Sequence, residues 1–336
     1  MKYLTEQQIK KYQNDGFLLL RKFFSKDELE PIIKSIEQFS RMKPNDWELG
    51  KEMAYYETST ENENERILCR VEKYVDYHQQ FQKLANSDKI LNVLEDLMGG
   101  PCVLFKDKIN CKRPNGGGFR PHQDVQARWD DFVEYTMSIM ISTDQSTPEN
   151  GCLEVAPGQH KRGLIGKYDR PLEGEDLKGM KFEMVQTEIG DVLFFDHFTP
   201  HQSKANKSNK SRSNIYLTYN LLSDGDHRNE YLDAKRRGLP PDNERHEGMK
   251  FEKVPTEIGD ALFFDHFTPH QSKPNKSNKP RSNIYLTYNL LSDGDHRNEY
   301  LDRKRRELPP DNERYEGIKF NDSPLHDVKY KETKKN

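Results

Sequence analysis

Residues 190–203 read GDVLFFDHFTPHQS: a glycine turn, four apolar residues, an acid, and then a histidine and a serine two positions apart. The apolar run from Val192 to Phe195 is too short for a helix and is bounded by turn formers, so it predicts a strand buried on both faces. Beyond a polar connection, residues 213–221 (SNIYLTYNL) predict a second strand. Upstream, residues 136–142 (TMSIMIS), 152–155 (CLEV) and the stretch from Val103 to Ile109 add further short strands, with the loop Pro114-Asn115-Gly116-Gly117-Gly118 between them.

Before residue 101 the pattern is mostly helical. Thr5-x-x-Gln8 and Ser25-x-x-Glu28 are capping-box signatures. Leu29, Ile32, Ile33 and Ile36 recur at helical spacing, and residues 87–97 (SDKILNVLEDL) form an amphipathic segment closed by Gly99-Gly100. Residues 17–20 (FLLL) read as a buried strand and 58–65 (TSTENENE) as an exposed loop. Helices followed by many short strands predict an α+β chain built on a β-sandwich or jelly roll.

Charged residues make up 32% and hydrophobic residues 33% of the 336, so the core must draw on the 17 Phe and 16 Tyr. A net charge of −3, with both signs interspersed, offers no field for nucleic acid. Cys69, Cys102, Cys111 and Cys152 form no C-x-x-C and read as reduced thiols. With neither a secretory signal nor an apolar span, the expectation is a cytoplasmic protein that engages no membrane.

His122-Gln123-Asp124 follows the glycine loop. In an extended strand, residues i and i+2 project from one face, so an imidazole and a carboxylate would point the same way. Such a pair plus one distant histidine makes a 2-His-1-carboxylate triad with open coordination positions. Among 11 histidines one H-x-D is what chance supplies, and a polar strand end is the plain alternative. His201 is the candidate distant ligand. Ser203 lies two residues on, and Arg212 opens the next predicted strand, where a guanidinium can grip a carboxylate through two bonds.

These motifs together resemble the phytanoyl-CoA dioxygenase (PhyH-like) family of Fe(II)/2-oxoglutarate oxygenases. The resemblance runs to about residue 248 and rests on residues 119–124 (FRPHQD), 148–153 (PENGCL), 156–160 (APGQH), Pro200-His201-x-Ser203 and Arg212. It implies a double-stranded β-helix (jelly roll) with N-terminal and flanking helices. It implies Fe(2+) held by His122, Asp124 and His201, with 2-oxoglutarate and O2 as cosubstrates. Arg212 and Ser203 would hold the far carboxylate of 2-oxoglutarate, and a small-molecule substrate would be hydroxylated as succinate and CO2 form. Lys108, like Lys106 on the same strand, is a candidate to face an anion, and Lys108 is assigned to the cosubstrate. Gln126, Arg128 and Trp129 are candidates for the pocket mouth, with surface or packing roles as the alternative. The tail YNLLSDGDHRNEYLDAKRR resembles a branch that includes aminoethylphosphonate-type dioxygenases, which favours a small polar or anionic substrate.

Residues 180–248 recur as 249–317 with eight differences over 69 positions. Two long copies at this identity mark either a recent segmental duplication or an error in the gene model. The organisation expected is an oxygenase domain over 1–248 (helices over 1–100, jelly-roll core over 101–225), the duplicate over 249–317, and a polar tail over 318–336. The second copy repeats His270, Ser272 and Arg281 but brings no second H-x-D, so it offers an alternative third ligand rather than a second site. Loop closure costs only about 0.6 kcal/mol per doubling of length and does not choose between the copies. Pro274 and Pro280 of the second copy resemble the family more than Ala205 and Ser211 of the first, but His201 is favoured because the first copy emerges first and joins the preceding strands without excluding 69 residues. A displaced copy would expose apolar strand sequence and favour swapped dimers, or leave a non-catalytic binding protein.

Overall fold

Capping chemistry sets the first helix. In the computed structural model, which describes residues 3–59, 65–114, 116–239, 241–244, 252–264, 268, 270, 278–280 and 282–307, the Gln8 N–H donates to the Thr5 hydroxyl at 3.3 Å. The Thr5 N–H donates to the Gln8 side chain at 2.9 Å. This box opens α1 (Glu6–Asp15), which Gly16 ends at φ +82°. After β1 (Phe17–Leu20), the Ser25/Glu28 box opens α2 (Lys26–Arg41), which buries Leu29, Ile32, Ile36 and Phe39. Strands β2 (Met53–Thr58) and β3 (Arg66–Glu72) precede α3 (Gln79–Ala85) and α4 (Asp88–Met98). Then come β4 (Cys102–Lys112), β5 (Phe119–His122), β6 (Thr136–Ser142), β7 (Leu153–Val155), β8 (Glu183–Val185), β9 (Val192–Asp196), β10 (His201–Ser203) and β11 (Arg212–Leu221), followed by α5 (Arg228–Gly238).

These strands make two sheets, in the orders β1-β9-β6-β11-β4-β3-β2 and β5-β10-β7-β8, and every pairing is antiparallel. From β4 onward the chain alternates between the two sheets except at the β7–β8 pair, which makes this the expected α+β fold, a double-stranded β-helix flanked by helices. On the outer face of the larger sheet, Ile139, Ile141, Phe194, Ile215 and Leu217 pack against α2 and α4 residues in one core. On its inner face Met140, Leu193, Phe195 and Tyr216 meet Leu153, Val155 and Val185 of the smaller sheet.

Residues 1–100 are less purely helical than their periodicity predicts, because β1, β2 and β3 all join the larger sheet. The signal for β3 is weak for a physical reason. Its inner face carries Arg70 and Glu72, and Glu72 is fully buried among Lys106, Lys235 and Arg70. An interior that holds charge blurs the apolar alternation that marks a strand. Helix α5 closes this end: Arg228 binds Asp107 at 2.7 Å and Asp76 at 2.8 Å, while Tyr231 and Leu232 pack beside Phe105 and Trp129.

The chain divides into two compact units, Met1–Glu257 and Ile258–Asn336. Among its described residues the second unit holds α6 (Arg297–Glu307) and a 3-10 turn, but no strand. Ile215 and Leu217 are 0% and 1% exposed in β11, whereas their counterparts Ile284 and Leu286 are 89% and 72% exposed. No helix among the described residues is long and apolar enough to cross a membrane, and the four cysteines are free thiols.

Identical residues in the two copies therefore carry different energetic weight. Tyr231→Ala is expected to lower unfolding free energy by about 3 kcal/mol, as for other buried aromatic truncations. Tyr300→Ala, at the equivalent exposed position, is expected to change it by less than about 0.5 kcal/mol. Chemical denaturation of the two variants checks the pair.

Candidate active site

Antiparallel pairing of β10 with β5 sets His201 directly opposite His122, with ring centroids 4.3 Å apart. Strand β5 ends at His122, and Asp124 opens a 3-10 turn (Asp124–Ala127) instead of continuing the strand. Gln123 keeps extended dihedrals (φ −108°, ψ 143°), so the i, i+2 relation that the sequence predicts survives the end of the strand. One ligand atom from each of His122, Asp124 and His201 lies within 4.8 Å of the others.

Both imidazoles are oriented by main-chain carbonyls. His122 Nδ1 lies 2.7 Å from the Arg120 carbonyl and His201 Nδ1 lies 3.0 Å from that of Thr199. A carbonyl only accepts, so Nδ1 carries the proton in each ring and Nε2 keeps its lone pair. His201 Nε2 faces Asp124 Oδ1 at 3.8 Å. The Ser138 hydroxyl donates to the other carboxylate oxygen at 2.7 Å and meets Thr218 Oγ1 at 3.0 Å.

Burial and the neighbouring His201 push His122 down to about 3, and burial lowers His201 as well, so both rings are neutral at physiological pH. Burial works against the Asp124 anion, but the Lys108 ammonium and the hydrogen bond from Ser138 favour it, and the carboxyl lies well below the usual range. Two neutral nitrogen donors and one anionic oxygen match a divalent metal with positions left open. The residues present fit such an ion.

Lys108 Nζ lies 3.9 Å from Asp124 Oδ1 and sits over the Tyr216 ring; burial lowers it to about 8. Lys106 points instead to Glu72 and the Tyr231 hydroxyl. At the far end of β11, Arg212 is 3% exposed and donates through Nη2 to the Gly151 carbonyl at 2.5 Å. Ser203, on β10, accepts from Lys112 at 2.7 Å. Lys112 lies beyond the strand that the sequence predicts from Val103 to Ile109, but β4 runs on to it and sets it on the same face as Lys108 and Asn110.

The pocket-mouth candidates have other roles. Trp129 is buried and donates to the Tyr231 hydroxyl, Gln126 donates to the carbonyls of Lys167 and Arg170, and Arg128 pairs with Asp169 on the surface. Their position after H-x-D predicts a pocket mouth, but the 3-10 turn carries Gln126 and Trp129 into packing and leaves Arg128 on the surface. Gly151 is structural: φ is +72°, and a Cβ would stand 2.2 Å from the Lys204 carbonyl oxygen. In the second unit His270 is exposed and keeps its Nδ1 bond to the Thr268 carbonyl at 3.0 Å. Ser272 and Arg281 lie outside the described residues.

The model of the phytanoyl-CoA dioxygenase (PhyH) family matches residues 12–214 and 222–283. The chain is 36% identical over 257 residues to a 2-aminoethylphosphonate dioxygenase from Uncultured bacterium HF130_AEPn_1, covering 76% of this chain and 96% of that one. It is 34% identical over 257 residues to a methylphosphonate hydroxylase from Gimesia maris, covering 75% and 94%. The solved structure of EctD from S. alaskensis with 2-oxoglutarate and 5-hydroxyectoine superposes with a TM-score of 0.56 at 22% identity, over 66% of this chain and 77% of that one.

The Ser138 hydroxyl bond fixes the carboxylate for metal. Ser138→Ala is expected to weaken divalent-metal affinity about 10-fold, the usual cost of losing a partner that orients a ligand. Calorimetric titration with Mn(II) measures this; unchanged affinity would show that Asp124 needs no such support.

Proposed function

The chain belongs to the phytanoyl-CoA dioxygenase family, and from that premise we propose that it is an Fe(II)- and 2-oxoglutarate-dependent dioxygenase. It hydroxylates a small polar or anionic organic substrate, releasing succinate and CO2. The observation that carries this reading is the convergence of His122, Asp124 and His201 between the two sheets.

In this reading those three residues hold the iron, which with 2-oxoglutarate supplies the activation of O2. The chain's own contribution is orientation. The carbonyls of Arg120 and Thr199 aim the two Nε2 lone pairs inward, and Ser138 fixes the carboxylate. Arg212 and Ser203 are assigned to the far carboxylate of 2-oxoglutarate. Lys108, beside Asp124, supplies positive charge to an anionic ligand at the metal end.

The first copy is assigned to the working site. Val192 is fully buried where the second copy has Ala261, so seating the second copy would forfeit about 2 kcal/mol of methyl burial. That exceeds the loop-closure difference between the copies and favours His201 over His270. Residues 1–248 then form the oxygenase domain, with 249–317 dispensable.

The interior supports an anionic substrate. Arg70, Lys106 and Lys235 share the single carboxylate of Glu72, which leaves a surplus of positive charge. Two of the relatives are named for phosphonate substrates, and this supports small phosphonates as the first candidates to test.

Fe(II)-loaded protein is expected to turn 2-oxoglutarate into succinate. His122→Ala and His201→Ala should abolish the product, while His270→Ala and deletion of 249–317 should leave the rate unchanged. Succinate formation that survives His122→Ala would sink the assignment; loss of it in His270→Ala would move the third ligand to the second copy. Methylphosphonate and 2-aminoethylphosphonate should accelerate turnover and a fatty acyl-CoA should not.

A further inference from the structure

Lys112 and Arg212 are register partners across β4 and β11, and they are 4% and 3% exposed. Among the described residues neither forms an ion pair with a carboxylate. The acids whose fields reach Lys112 are engaged elsewhere. Glu57 accepts from the Gly117 N–H at 3.2 Å, and Glu154 pairs with Lys204 at 3.2 Å and accepts from Gln202 at 2.8 Å.

The two cations are instead solvated by neutral groups. Lys112 Nζ donates to Ser203 Oγ at 2.7 Å, to the Gly151 carbonyl at 3.4 Å and to the Lys204 carbonyl. Arg212 donates through Nη2 to the same Gly151 carbonyl, and through Nη1 to the Asn214 side-chain oxygen at 2.9 Å when that amide is turned to meet it. Its Nε is buried with no partner. Burial and the Arg212 charge, in that order, push Lys112 down to about 7. Two like charges held together out of water without an anion are costly, and the cost is relieved when an anion enters.

We propose that Lys112 is a second cationic binding residue for the far carboxylate of 2-oxoglutarate, gripping it opposite Arg212 with the Ser203 hydroxyl shared between them. This rests on the oxygenase reading above. It adds a residue for which the Arg212 and Ser203 motif gives no sign.

The competing role is purely structural: Lys112 ties β4 to the turn after β10. Calorimetric titration of Mn(II)-loaded protein separates the two, using 2-oxoglutarate and 2-oxopentanoate, which keeps the 2-oxo acid end and lacks the far carboxylate. Lys112→Met is expected to weaken 2-oxoglutarate binding by about 10- to 100-fold, the range for losing a bond to a charged group, and to leave 2-oxopentanoate binding unchanged. Lys112→Gln retains a donor for Ser203 and Gly151 without the charge, and it should show the same selective loss if the methionine variant does not fold. Undiminished 2-oxoglutarate binding in these variants overturns the proposal, as does an equal loss for both ligands, which marks a structural role. Wild-type protein that binds neither ligand brings down the oxygenase reading itself, and the assignment of Lys112 with it.

Discussion

The register of β5 against β10 is the constraint on which the site depends. With His201 opposite His122, both imidazoles meet at one level of the smaller sheet, and Asp124 reaches the same point from the turn that follows. A slip of one residue would turn either histidine to the other face. The pairing is short, so its register is held from outside. His201, Gln202 and Ser203 pair on their other side with Val155, Glu154 and Leu153. At the far edge Gly118 lets the chain approach so closely that a Cβ there would stand 2.6 Å from the Ser203 carbonyl oxygen.

Around that point the inner face of the larger sheet is charged where most sandwiches are apolar. Lys108 and Lys112 alternate along β4, Arg212 stands opposite Lys112, and Arg70 and Glu72 come from β3. Charges out of water cost free energy unless paired. At one end the cost is offset by Glu72, at the centre by Asp124 facing Lys108, and at the other end by hydrogen bonds to neutral oxygens, with no ion-paired carboxylate among the described residues. The compensation is uneven: near α5 three cations share the carboxylate of Glu72, and at the Arg212 end, among the described residues, no carboxylate is ion-paired with the two cations. The apolar core that offsets this lies largely on the opposite face, against α2 and α4.

The duplicated segment separates local from tertiary causes. The 3-10 turn Leu222–Asp224 recurs as Leu291–Asp293, and α5 recurs as α6. The bond from His201 to Thr199 recurs between His270 and Thr268, and the Phe195–His201 ring contact at 5.1 Å recurs as Phe264–His270 at 4.8 Å. All of these span only a few residues. What fails to recur is the strand: residues 282–290 carry the same sequence as 213–221 without forming one. Helical bonds close within four residues, whereas a strand's bonds must be met by another strand, and β4 and β6 already flank β11.

The sequence by itself determined the helix caps, the short apolar strands, the H-x-D pair with its distant histidine, and the arginine eleven residues beyond, because each is written in neighbouring residues or in fixed spacing. Only the tertiary structure decided that Trp129 and Gln126 serve packing, that Lys112 stands beside Arg212, and that β3 carries charge into the interior. It also decided which of two nearly identical segments becomes sheet. Those outcomes depend on partners far apart in the chain, and the desolvation of a lysine or the completion of a strand is fixed only when the partner arrives.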